Sequence, residues 1–116
     1  MAPKPTDLLQ GTLDLLILKT VSLEPLHGYA IAARINSTSK ALLQVPQGSL
    51  YPALHRLENK GWLAAAWDET STGREAKFYK LTRAGRQQLE HELADWKRLT
   101  DGIALILGAA GETTSR

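Results

Sequence analysis

The ten residues Gly48-Ser49-Leu50-Tyr51-Pro52-Ala53-Leu54-His55-Arg56-Leu57 constrain the fold more than any other stretch of the chain. Leu50, Leu54 and Leu57 recur at helical spacing and share one face, leaving polar and aromatic groups on the rest. A proline is cheap in a helix only in the opening turn, where its missing N–H would have had no intrahelical partner. Pro52 therefore predicts a helix start near Gly48 or Ser49, and Gly61 predicts the stop. Ser49, Tyr51, Pro52, His55 and Arg56, with Gln47 just ahead of them, then fall on early, outward-facing turns. From that position helix-turn-helix proteins reach base edges and phosphates.

Two helices are expected before this one. Over residues 8 to 22, Leu9, Leu13, Leu16, Ile17, Thr20 and Val21 form one apolar stripe, and Leu8, Leu15 and Leu18 form a second. A short helix apolar on nearly every side must be covered on nearly every side, so Leu9, Leu13 and Leu16 are expected at a contact with a second subunit. Glu24 to Gly28 reads as a turn, Gly28 to about Ser37 as a second helix, and Leu42 to Val45 as a short β-like connector.

After Gly61 the periodicity changes to that of strands, over Trp62 to Glu69 and Ala76 to Leu81, around a polar tip at Thr70 to Glu75. Tip cations Arg74 and Lys77 would reach phosphates or the minor groove. Thr82 is a candidate N-cap for a last helix running to about Leu107, roughly 40 Å at 1.5 Å per residue. Its apolar rows, Leu89, Trp96, Ile103 and Leu93, Thr100, Leu107, are spaced like a heptad seam. Leu89, Leu93, Trp96 and Ile103 are thus expected at a dimer interface. Gly102 could kink or end the helix, at a cost of about 1 kcal/mol.

The fold class expected from this order is mainly α with a small β-hairpin. A winged helix-turn-helix covers residues 8–81 and a long C-terminal dimerisation helix covers 82–108, with a flexible arm at 1–7 and a disordered tail at 109–116. A chain of 116 residues supports one domain with a modest core.

Net charge is only +2 with a sequence pI near 9.0, but it is unevenly placed. Residues 34 to 86 hold nine Lys or Arg against four acids, whereas the segments on either side are net negative. A basic centre between acidic ends suits a polyanion, although an ordinary solvated surface can show the same counts. With no cysteine, disulfides and thiolate metal sites are excluded, and a reducing cytoplasmic setting is expected. The apolar runs near Leu13 and Ile103 fall far short of the ~20 residues of a membrane span. His27, His55 and His91 have no ligand spacing, so no metal or cofactor is expected. No nucleophile elbow, phosphate-binding glycine loop or paired carboxylates appear, and catalysis is not expected.

Gly11-Thr12-Leu13, His27-Gly28-Tyr29, Gly48 to Leu54, Arg56-Leu57-Glu58, Gly61, Phe78-Tyr79 and Leu81 to Gly85 together resemble the PadR family of bacterial transcriptional regulators, in order over roughly residues 8 to 98. The resemblance implies a homodimeric, DNA-binding repressor of the short subfamily, with one C-terminal dimerisation helix. It also implies a small-molecule effector bound at the dimer interface. The wing departs from the family habit, because Glu75 follows Arg74 and weakens phosphate attraction.

Two residues keep two readings each. Tyr51 either caps the core beside Leu54 or contacts DNA. Trp96 either packs in the seam or, facing its own copy across a two-fold axis, stacks on a planar aromatic effector. The rival reading for the whole chain is a winged helix used for protein–protein contact or for sensing planar aromatics without binding an operator.

Overall fold

A computed structural model of the chain describes residues 10–115, with side chains over 10–108. The expected arm at 1–7, Leu8 and Leu9 lie outside the described residues. Four helices and three strands follow in the order α1 (Gln10–Leu23), β1 (Leu26–His27), α2 (Gly28–Thr38), α3 (Gln47–Asn59), β2 (Leu63–Glu69), β3 (Glu75–Leu81) and α4 (Arg83–Ser115). The architecture is mainly helical, with a small antiparallel sheet of order β1-β3-β2.

The first helix is apolar on nearly every side and is covered on nearly every side, but by its own chain. It packs on α2, α3, α4 and β3, and buries Leu13, Leu15, Ile17, Leu18 and Val21. Leu13 is therefore a core residue and not a subunit contact, and Leu16 is half-buried against the same cluster. Ile31 and Ile35 of α2, Leu50, Ala53, Leu54 and Leu57 of α3, Leu63, Tyr79 and Leu89 complete the core. Leu89, expected at the seam between subunits, is spent here because the first turns of α4 lie against the head of the molecule.

The segment 24–28, expected to be only a turn, contains a strand. Leu26 pairs with Tyr79 and His27 with Phe78, which gives β3 a second neighbour. Two residues are too few for a period-2 pattern, so nothing local announces them. The connector at 42–45 is in turn not a strand. Lys40 and Ala41 just before it adopt left-handed backbone (φ 54° and 65°), and Leu42 stands exposed.

The third helix begins at Gln47, earlier than Pro52 suggested. Extended Pro46 caps it, and its carbonyl accepts from the N–H groups of Ser49 and Leu50, both at 3.0 Å. Pro52 thus lies in the second turn, where the hydrogen bond it cannot donate leaves the Gly48 carbonyl without its helical partner. At the other end Gly61 is left-handed (φ 79°) as expected. Trp62 N–H reaches back to Leu57 O and Gly61 N–H to Glu58 O.

The wing strands pair from Leu63 opposite Leu81 to Glu69 opposite Glu75. Thr82 then caps α4 as expected. Its Oγ1 accepts from Gly85 N–H at 2.9 Å and donates to Gly61 O at 2.6 Å, tying the start of α4 to the end of α3. The junction is tight enough that a Cβ on Gly85 would lie 2.1 Å from the Trp62 carbonyl oxygen. The fourth helix runs through Gly102 and Gly108 to Ser115, so residues 109–115, expected as a disordered tail, are helical backbone. The neighbouring Ala, Leu and Ile residues favour the helix strongly enough to absorb a glycine cost of about 1 kcal/mol. At 33 residues α4 is about 50 Å long.

Candidate nucleic-acid interface

The apolar face of α3 is fixed by Leu50, Ala53, Leu54 and Leu57, all buried. That rotation leaves Gln47, Ser49, Tyr51, Pro52 and His55 exposed on a single surface. No acid lies in the first turn, so the helix dipole and the free N–H groups there favour an anion. Tyr51 satisfies part of each of its two readings. It is 46% exposed, yet its ring lies against Gly28, where a Cβ would stand 2.8 Å from Tyr51 Cε1. Glycine at position 28 allows the outer face of α3 and the start of α2 to meet through that ring.

Arg56 lies at the edge of this surface, lining a cleft with Ser49 and Pro52, but its charge is committed elsewhere. Its guanidinium turns back beneath the helix, and Nη2 meets Asp14 Oδ1 of α1 at 2.5 Å. The Asp14 side chain is only 8% exposed, and Arg56 Nε is buried with no hydrogen-bond partner among the described residues. Helical angle alone places Arg56 at the flank of the apolar face, and a long side chain there can turn either way. The overlooked signal was Asp14, a lone carboxylate in the apolar pattern of α1, which burial obliges to find a cation.

Lys77 is also held inward. Its ammonium lies 3.1 Å from Glu58 Oε1 of α3 and 5.6 Å from the Tyr79 ring centre. The hydrogen bond to the Glu58 carboxylate is the main cause raising the Lys77 pKa above the ordinary lysine value. Burial in turn raises the Tyr79 phenol, against the opposing pull of Lys77. Lys77 thus braces the wing against α3 instead of projecting from the tip. Arg74 is exposed and makes no ion pair among the described residues. Beside it Glu69 and Glu75 oppose each other across the hairpin, so the tip carries more negative than positive charge.

His27 serves the fold instead. His27 Nδ1 accepts from Ala30 N–H at 3.2 Å and caps α2, while its ring meets Phe78 edge-on. Among the described residues no group of three or more His, Cys, Asp or Glu is placed to hold a metal ion. No described helix is long and apolar enough to cross a membrane.

The distal part of α4 has the opposite character from α3. Leu93, Trp96 and Ile103 are exposed as the heptad reading requires, and Leu99, Leu105, Ile106 and Leu107, which that reading left out or used only in part, are exposed with them. Trp96 and Leu99, with Glu92 and Asp95 beside them, also form one wall of a groove whose other wall is Gly11, Thr12 and Leu15 of α1.

Helices α1 to α3, the β2/β3 wing and the exposed outer face of α3 define a winged helix-turn-helix protein. The chain belongs to the Transcriptional regulator PadR-like family, whose sequence profile matches residues 17–91. It is similar to a PadR family transcriptional regulator from Eggerthella lenta at 33% identity, with 84% of this chain and 83% of that one covered and a TM-score of 0.72. A PadR-like transcriptional regulator from Bacillus cereus is 28% identical, covering 85% of this chain and 94% of its own, with a TM-score of 0.74. An uncharacterised protein of Lysinibacillus sphaericus is 28% identical over 102 residues, 88% of this chain and 94% of that protein.

Proposed function

We propose that the chain is a DNA-binding repressor that joins through α4 into a homodimer and places one α3 in the major groove of each half of an inverted-repeat operator. The observation that carries this reading is the outer face of α3, where Gln47, Ser49, Tyr51 and His55 are exposed together above an apolar face that fixes their direction. Arg74 adds a phosphate contact at the wing tip. Lys77 contributes by bracing the wing and presents its charge at the edge of the α3 face. Leu93, Trp96 and Ile103 form the seam between subunits, and a small planar effector beside Trp96 would alter the spacing of the two recognition helices. The reading places the protein in the cytoplasm, with DNA, a second copy of itself and that effector as partners.

Fluorescence anisotropy with a duplex recovered from a random-sequence pool tests the assignment. Ser49→Ala and Gln47→Ala are expected to weaken the recovered duplex about tenfold while leaving binding to scrambled DNA unchanged, since a base contact carries about 1–3 kcal/mol of discrimination. Equal affinities of both variants and the wild type for both duplexes would remove α3 from base recognition.

A further inference from the structure

Four aromatic side chains stand open to solvent among the described residues, Tyr29, Tyr51, Trp67 and Trp96, and the first three line one cleft. The cleft lies where the start of α2, the outer turns of α3 and the wing converge. Tyr29 is 69% exposed and Trp67 68%, values far above those of the aromatic residues the core has absorbed. In the wing register Trp67 stands opposite Lys77, and two positions along, Ala65 stands opposite Tyr79. All four therefore share one sheet face, the face that packs on the helices at its inner end and opens beside α3 at its outer end.

The polar tips around this cleft have one chemistry. Tyr29 and Tyr51 bring phenolic O–H groups, Trp67 an indole N–H and Lys77 an ammonium. Among the described residues no carboxylate lines the cleft, and Glu58, which approaches it, is paired with Lys77. Flat apolar walls that end in donors match a strand of apolar sugars alternating with phosphates that only accept.

We propose that this cleft grips the sugar–phosphate backbone of the DNA strand flanking the α3 contact, with Tyr29 and Trp67 as backbone-binding residues. The inference rests on the reading of α3 as the recognition helix. It shifts the weight of the wing contact from the charged tip, where two glutamates oppose Arg74, to the aromatic side chains of the cleft.

The test is anisotropy of the full chain on a fluorescein-labelled duplex of mixed sequence over a range of salt. Tyr29→Ala and Trp67→Ala, both at exposed positions, are expected to keep the wild-type thermal midpoint and to weaken binding about five- to tenfold each. Tyr29→Phe, which keeps the ring, is expected to lose about threefold. Neutral donors release no counterions, so the slope of log K against log salt stays at the wild-type value in these variants, whereas Arg74→Ala makes it shallower. A Tyr29→Ala/Trp67→Ala double variant within about twofold of wild type, alongside a Ser49→Ala variant that loses affinity for the recovered operator duplex, would overturn the cleft assignment alone. A loss accompanied by a shallower slope would trace the effect to a displaced wing and would also overturn it. If the wild type binds no duplex at all, both the α3 reading and this inference fall.

Discussion

The first and last helices are both rich in leucine and both looked, by pattern, like surfaces meant for a second subunit, yet they are used in opposite ways. In α1 the apolar residues are consumed within the chain, and even its one buried carboxylate, Asp14, has a cation from α3. In α4 only the first turns are consumed. Beyond Leu89 the apolar residues stand in the open, with Leu105 74% exposed. Hydrophobicity records that a residue needs cover and does not record whose cover it will be. Position in the topology decides that: α1 is wrapped by three helices and a strand, whereas α4 leaves the head after its capped and pinned start.

The comparison breaks if α1 tolerates what α4 should tolerate. The largest effect is expected from Asp14→Ala, which leaves the Arg56 guanidinium without its partner in a site with one nitrogen already unpaired. Removing one side of such a pair costs about 3–5 kcal/mol. Chemical denaturation should show this loss at every protein concentration. A loss below about 1 kcal/mol would mean that α1 is not locked to α3. Leu18→Ala in the same helix removes a fully buried side chain, and about 2–5 kcal/mol is expected.

Ile103→Gln combined with Leu107→Gln sharpens the other side. In dilute, dissociated chain the change should stay within about 0.5 kcal/mol, because neither side chain is covered. At high concentration the double variant should lose the rise of Tm with concentration that a folded dimer shows. A Tm independent of concentration in the wild type would leave the exposed half of α4 without its assigned partner. Between the two helices sits the junction, where Thr82→Ala removes the cap and about 1 kcal/mol of stability.

The smallest effect concerns the Lys77 and Glu58 brace. A raised lysine pKa contributes below the ordinary value of 10.5 and is lost as pH rises through the raised folded value. Glu58→Gln should bring the Lys77 titration, followed by NMR, back down toward the ordinary value. An unmoved titration would mean that the wing is not held by this pair.

Much of this was legible in the sequence because it rests on local chemistry. Periodicity announces α3 and the wing, Gly61 ends one helix, and Thr82 caps the next. The family resemblance placed the same elements in order. What was not legible depends on partners distant in sequence. β1 exists only because β3 offers it an edge. Arg56 turns inward only because Asp14, 42 positions away, is buried and needs a cation. Leu13 and Leu89 are core only because α1 and α4 cross where they do. Tyr29 and Trp67 draw no attention singly, and become a feature once the fold sets them around Tyr51.

Selection of duplexes from a random-sequence pool by the full chain, followed by sequencing of the bound fraction, tests the central claim most directly. The account predicts an inverted repeat whose half-sites are about one helical turn, ~34 Å, apart or a multiple of that, and the loss of this symmetry in the Ile103→Gln/Leu107→Gln variant. Enrichment of a single unrepeated element, or of nothing beyond the input pool, would contradict it.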